Sequence, residues 1–292
     1  MSGAAPTTQM DLRLFRLFLA VLVGVALAGS GVALQALLRN PLAEPFILGL
    51  STGAAAGVML LEWLNRTGER LVAAQHVGAV LGAVLSMLVV YAASRRNGVI
   101  DPLGLLLVGV VVSTINGALV VFLHYIMAQT ASPTISRWIM GYLHEELGAG
   151  SVWMAATTIG AGFALLLYAG RSMDVATFSD DEAQSLGVNL ALLRKLLFLA
   201  ASALAAAAVL LAGPLAFVGF VCPHLGRLMF GPGHRVLLGA SALLAAALLL
   251  LADTAIVYVD VRWNMGQLPL GIFTAVVGGV LFISILRTRS YV

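Results

Sequence analysis

Apolar stretches recur from one end of the chain to the other, broken by charges, Gly-Pro pairs and polar turns. Read for those breaks, the sequence predicts about nine helical spans. They lie at roughly 14–38, 46–61, 71–93, 103–127, 152–169, 196–212, 215–230, 236–257 and 268–286. A crossing needs about 20 apolar residues. The second and seventh are short for a full crossing, and such Gly/Pro-interrupted segments lie within protein or line a cavity. The pattern is that of an all-α, polytopic helical membrane protein. It reads as one transmembrane domain over 1–292 with a single long polar loop at about 171–195.

Composition supports this reading. Hydrophobic residues make up 61% of the 292 positions and charged residues only 10%, where a soluble domain carries about a quarter charged. The net charge is +3, but arginines stand singly or in pairs between apolar runs. No basic cluster interleaved with aromatics is present, so the partner is a lipid bilayer and not a nucleic acid. Arg39, Arg95, Arg96, Arg171, Arg194, Lys195, Arg227, Arg235, Arg287 and Arg289 fall on one set of alternate loops. Arg13, Arg16, Arg66, Arg70, Arg137 and Arg262 fall on the other, ten against six. The richer set is expected in the cytoplasm with the C-terminus, which places the N-terminus outside. Residues 1–10 are polar, and the apolar run after them is longer than the core of a cleaved signal.

Several chemistries are missing from the pattern. Lys195 is the only lysine and no G-x-x-x-x-G-K-[ST] loop precedes it, so this chain is not expected to hydrolyse ATP. His76, His124, His144, His224 and His234 are scattered without ligand spacing, and no metal site is expected. Cys222 stands alone and reads as a small buried apolar residue. Asp253 is the one carboxylate well inside an apolar run, and it reads as a hydrogen-bond acceptor between helices. The many glycines within the spans read as packing faces.

Four strings are distinctive. In the first, running from Gly31 through Gln35, Asn40, Pro41, Glu44 and Pro45 to Ala54, two prolines four residues apart stop one helix and start another. That predicts a re-entrant or tight turn in which Asn40 and Glu44 satisfy freed backbone groups. In the second, Ser179 and Glu182 form a capping box around Asp180 and Asp181, and a short helix then stops at Gly187. Ala183 and Leu186 share one face of it. Such a helix is either a solvated loop helix or a piece that docks into a partner's groove. The third runs from Ala212 to Leu228 and carries Phe217, Gly219, Pro223, His224 and Arg227. The fourth, from Leu268 to Phe282, opens the last span with Pro269, Gly271 and Thr274.

In this order, the four strings resemble the FecCD-type permeases of ABC importers, which carry iron-siderophores, haem and cobalamin. The first resembles G-x-x-x-Q-x-x-x-x-N-P-L-A-x-P-x-x-L-G-x-x-x-G-A. The second resembles an acidic stretch followed by A-x-x-L-G. The third resembles F-[IV]-G-x-x-x-P-H-x-x-R, and the fourth L-P-x-G-x-x-T-x-x-x-G-x-x-x-F. The likeness covers roughly residues 12 to 289.

The resemblance implies a subunit that pairs with an identical or paralogous permease around a central pathway. Two cytoplasmic ATPase subunits would hold the ATP and magnesium, and a periplasmic or lipid-anchored binding protein would deliver cargo in a bacterial or archaeal inner membrane. It implies that Asp180, Asp181, Glu182, Ala183, Leu186 and Gly187 couple to the ATPase, so that a bulky charge at Ala183 or Leu186 uncouples transport. It implies that Arg13 and Arg16 receive the binding protein's acids, with Arg262 replacing a family arginine where Val257 stands here. It places the pathway along the fourth and last spans with Asn116 and Thr274, and a cytoplasmic constriction near Pro102 and Leu103. The family carries ten spans, and only residues 1–10 precede the R-x-x-R here, which reads as either a shortened start or a true nine-span topology. An ion-coupled secondary carrier is the competing reading, with Asp253 as its one candidate coupling site.

Overall fold

The computed structural model describes residues 6–65, 74–96, 99–127, 139–143, 147–263 and 268–289. Of the expected charges, Arg66, Arg70 and Arg137 lie outside those residues, as do Leu71 at the start of the third span and His144.

Ten helices follow one another among the described residues. They are α1 (Pro6–Leu38), α2 (Leu50–Asn65), α3 (Ala74–Ala93), α4 (Pro102–Ile126) and α5 (Ala149–Val175), then α6 (Asp180–Ser185), α7 (Leu190–Ala212), α8 (Val218–Phe230), α9 (His234–Trp263) and α10 (Leu270–Arg289). A 3-10 turn at Pro45–Leu48 precedes α2, and two-residue strands β1 (Arg95–Arg96) and β2 (Val99–Ile100) pair before α4. By length and composition, five helices can cross a membrane: Met10–Leu38 within α1, and α4, α5, α7 and α9. Four shorter apolar stretches, Leu50–Leu64, Val77–Ala93, Val218–Phe230 and Leu270–Ser284, complete the nine that the apolar pattern predicts.

α1 and α7 form the centre. In each, 72% of the most apolar stretch is buried, against 11% in α4. Small residues make this possible. A Cβ on Gly24 of α1 would stand 2.7 Å from the backbone nitrogen of Ala246 in α9. The alanine run Ala205, Ala207, Ala208 of α7 is likewise buried. α2 and α3 pack antiparallel with Gly53 against Gly82 and Gly57 against Gly78, where added side chains would strike the opposing backbone. Lipid supplies no hydrophobic drive between helices, so close backbone approach is what holds them.

The bundle has two distinguishable ends. One gathers the close of α1, the close of α5, α6 and the α8–α9 turn, with Arg39, Arg194, Arg227 and Arg235. The other gathers the start of α1 and the close of α9, with Arg13 and Arg16. The first string re-enters between them. α1 stops at Leu38, and the chain turns back so that Ser113 Oγ, midway along α4, donates to the carbonyl of Phe46 at 3.4 Å.

Candidate functional site

The first, third and fourth strings form one interlocked unit. A Cβ on Gly31 would collide with the carbonyl of Gly219, so α1 and α8 touch backbone to backbone. Four residues further along α1, Gln35 Oε1 accepts from Arg227 Nη2 at 3.1 Å. Glu44 reaches from the re-entrant turn to accept the backbone N–H of Phe217. Phe217 holds a left-handed φ of 68° at the start of α8, and its ring side packs where Gly278 of α10 leaves room. Gly271 N–H donates to Gly141 at 3.2 Å, beside the Met140 carbonyl, which fixes the start of α10 after Pro269. Pro223 lies within α8, and His224 is 3% exposed and stacked on Phe220. Asn40 Oδ1 caps Leu42 N–H at 2.9 Å just before Pro45 packs on Gly219.

The second string builds the small helix that its residues predict. Ser179 Oγ accepts from Glu182 N–H while the Glu182 carboxylate accepts from Ser179 N–H, closing the capping box. At the other end, Gly187 takes φ 83° and Val188 N–H bonds to the Ala183 carbonyl at 3.0 Å. Asp180 then ties α6 to the bundle, accepting from Arg194 at 2.8 Å and from Arg39 at 2.7 Å. Desolvation pushes the Asp180 carboxyl upward, but the hydrogen bonds and charge of Arg194 and Arg39 outweigh it and hold it below its ordinary value. Hydrogen bonds from Ser179 likewise hold Glu182 down.

Within α6 the expected residues separate by exposure and pairing. Ala183 and Leu186 do not share an outward face: Ala183 is fully buried against the bundle, whereas Leu186 is 63% exposed. Asp180 is committed to Arg39 and Arg194 and serves as an anchor. The outward surface is Leu186 with the exposed acids Asp181 and Glu182, joined by Phe178, exposed just before the cap. The sequence reading missed Phe178, although an aromatic side chain directly before an N-cap in the longest polar stretch was a visible signal.

At the opposite end, Arg16 is buried and bonded to Asp253 of α9, with its guanidinium over the Tyr142 ring. Asp253 is thus an interhelical acceptor. Arg16 is only 7% exposed, and burial favours its pairing within the chain. Exposed Arg13 lines a cavity of 450 Å3 together with Arg16, Asp253, Val257 and Asp260. Arg262, exposed in the last turn of α9, lies outside that lining.

The expected pathway residues divide in the same way. Asn116 is half-buried and clamps the re-entrant turn, donating to Gly49 at 3.3 Å and to Ser86 at 2.9 Å. Thr274 is 2% exposed and bonds to Gly271 within α10, so it sits in the packed interior and not on an open face. Pro102 opens α4 behind the Asp101 cap, and Leu103 is 64% exposed. Along α10, Ile272, Val276, Val280 and Ile283 form an exposed apolar stripe. Among the described residues no group of three His, Cys, Asp or Glu could hold a metal ion.

The chain is similar to other transport proteins over almost its whole length. The cobalamin import system permease protein BtuC of Halobacterium salinarum is 39% identical over 295 residues, 99% of this chain and 76% of that protein. The hemin transport system permease protein HmuU of Yersinia pestis is 36% identical over 284 residues, 96% of this chain and 84% of that one. A solved structure described as an inward-facing metal-chelate-type ABC transporter superposes with a TM-score of 0.84. It covers 98% of this chain and 92% of its own, at 27% identity. The sequence model of the FecCD transport family matches residues 2–288, and the chain belongs to that family.

Proposed function

We propose that this chain is the membrane-spanning permease subunit of an ABC importer that moves an iron chelate, haem or cobalamin across the inner membrane. The observation that carries the proposal is α6, a six-residue helix capped at both ends. It is pinned to the bundle through Asp180 and shows Leu186, Phe178 and two acids outward. A rigid, exposed element of this kind transmits force from a soluble motor to a buried bundle. The end bearing α6 is then cytoplasmic together with the C-terminus, and the Arg13 end faces the binding protein.

ATP and magnesium belong to two separate ATPase subunits in this reading. The apolar faces of α4 and α10 pack on a second permease, identical or paralogous, to enclose the pathway, with Leu103 at its cytoplasmic mouth. The relatives named for cobalamin and hemin transport support a bulky chelate as cargo. An ion-coupled carrier would need a free carboxylate within the spans, and Asp253 is bonded to Arg16.

Reconstitution tests the reading. Proteoliposomes holding this chain, its ATPase and its binding protein should accumulate cargo on ATP addition with no ion gradient. Uptake by the chain alone under an ion gradient would replace the proposal with the secondary-carrier reading.

A further inference from the structure

A cavity of 320 Å3 opens at the α6 end, between the close of α1, the close of α5 and the α8–α9 turn. Its polar lining is Gln35, Arg39, Asn40, Thr177, Arg227 and His234, with no carboxylate among the lining residues. Asp174 and Asp180 are committed to His234 and Arg39 respectively, at 2.7 Å each. Gln35 is 3% exposed; its Oε1 is taken by Arg227, while its buried Nε2 has no hydrogen-bond partner. Two guanidinium groups and an unused amide donor, with no acid in the wall, make this a site for an anion.

We propose that the cavity binds the phosphate of an anionic lipid headgroup. Planar guanidinium groups match phosphate oxygens in pairs, and basic pockets between helices take up acidic headgroups. The surface beside the cavity suits acyl chains: Leu228, Met229 and Phe230, directly after Arg227, are 68%, 63% and 56% exposed. Arg39 also donates to the Ala176 carbonyl at 2.9 Å and holds Asp180. A bound headgroup therefore touches the residue that anchors α6, whatever cargo the bundle moves.

Native mass spectrometry of the detergent-purified full chain, offered phosphatidylglycerol and phosphatidylcholine in equal amounts, tests this. The chain should retain phosphatidylglycerol preferentially. Thr177→Glu places a carboxylate at the exposed mouth and leaves both arginines in place. It should reduce that preference roughly fivefold, the effect of about one charge near a headgroup. Thr177→Gln should keep the preference, and the melting temperatures of both variants report whether they fold. Competition by inorganic phosphate or glycerol 3-phosphate would assign the anion site to a soluble phosphate in place of the membrane. Equal retention of the two lipids, or an unchanged preference in a folded Thr177→Glu chain, overturns the proposal. So would occupancy by a partner protein's acidic segment with no response to lipid or phosphate.

Discussion

Arg39 and Asp180 meet at 2.7 Å and join the end of α1 to the first turn of α6. The geometry at Arg39 is unusual. α1 closes with Asn40 N–H on the Gln35 carbonyl and Arg39 N–H on that of Ala36, the double bond pattern that normally recruits glycine. Arg39 takes the left-handed φ of 47° in its place, a strain of about 1 kcal/mol. Glycine would relieve it but could not reach Ala176 or Asp180. Arg39→Gly and Arg39→Ala should both leave overall melting nearly unchanged, since exposed pairs contribute at most about 1 kcal/mol. Both should raise hydrogen exchange at residues 180–188. Unchanged exchange there would show that Arg194 alone anchors α6.

The same carboxylate gives a pH dependence. Asp180 titrates below its ordinary value of 3.8 when α6 is docked. Because the docked carboxyl binds its proton less readily than the free one, the tie contributes fully above about 3.8. It is lost as pH falls through the depressed value. A spin label at exposed Ser185 should therefore stay immobile down to that range and gain mobility below it. Asp180→Asn should be mobile at every pH, and a parent label indifferent to acid would refute the tie.

Much of this architecture was legible in one dimension, for identifiable reasons. Nine apolar stretches follow from bilayer thickness alone, and the Ser179–Glu182 box follows from orphan N–H groups that any helix start must satisfy. Local spacing placed Ala183 and Leu186 on one face, yet one is buried and the other exposed. How α6 lies on the bundle is set by Asp180 reaching two distant arginines, which no local pattern encodes. Arg16 was likewise legible as a charge beside the first span, whereas its pairing with Asp253 is a long-range contact. The bond from Glu44 to Phe217 joins two strings that each read only as breaks in a helix.

Glu44 should be replaceable by Gln but not by Ala. Its Oε1 accepts the N–H of Phe217, a residue held at positive φ against Gly278. Glutamine retains an acceptor oxygen at that position. Alanine leaves a part-buried N–H without this partner, a loss of about 1 kcal/mol or more. Thermal unfolding in detergent should place Glu44→Gln near the parent and Glu44→Ala well below it. Equal melting of the two would mean that the Phe217 N–H finds another acceptor.

The buried pair Arg16–Asp253 separates stability from docking. Removing either partner leaves an uncompensated buried charge and should destabilise by about 3–5 kcal/mol. Removing both, as Arg16→Met with Asp253→Leu, should recover most of that loss. Arg13→Ala, at an exposed position, should leave melting unchanged and weaken binding-protein association, the more so at low salt. If Arg16→Met melts like the parent while abolishing association, Arg16 is a docking residue after all and the pair opens when the partner arrives.

Leu186→Asp and Ala183→Asp should both abolish productive transport, but by different routes. Leu186 is 63% exposed and Ala183 is fully buried. A carboxylate at Leu186 meets water in the free chain, so folding and the seating of α6 should be preserved. Under the proposed coupling role it removes only an apolar contact with the ATPase, as would Phe178→Asp. A carboxylate at Ala183 is forced into the packed bundle, where an unpaired charge is strongly unfavourable, so α6 lifts before any partner is met. Limited proteolysis between 176 and 190 should therefore be unchanged for Leu186→Asp and much faster for Ala183→Asp. ATPase capture should fail for both. Capture and coupled hydrolysis surviving in Leu186→Asp and Phe178→Asp together would remove α6 from the motor interface, because these two are its large exposed apolar side chains.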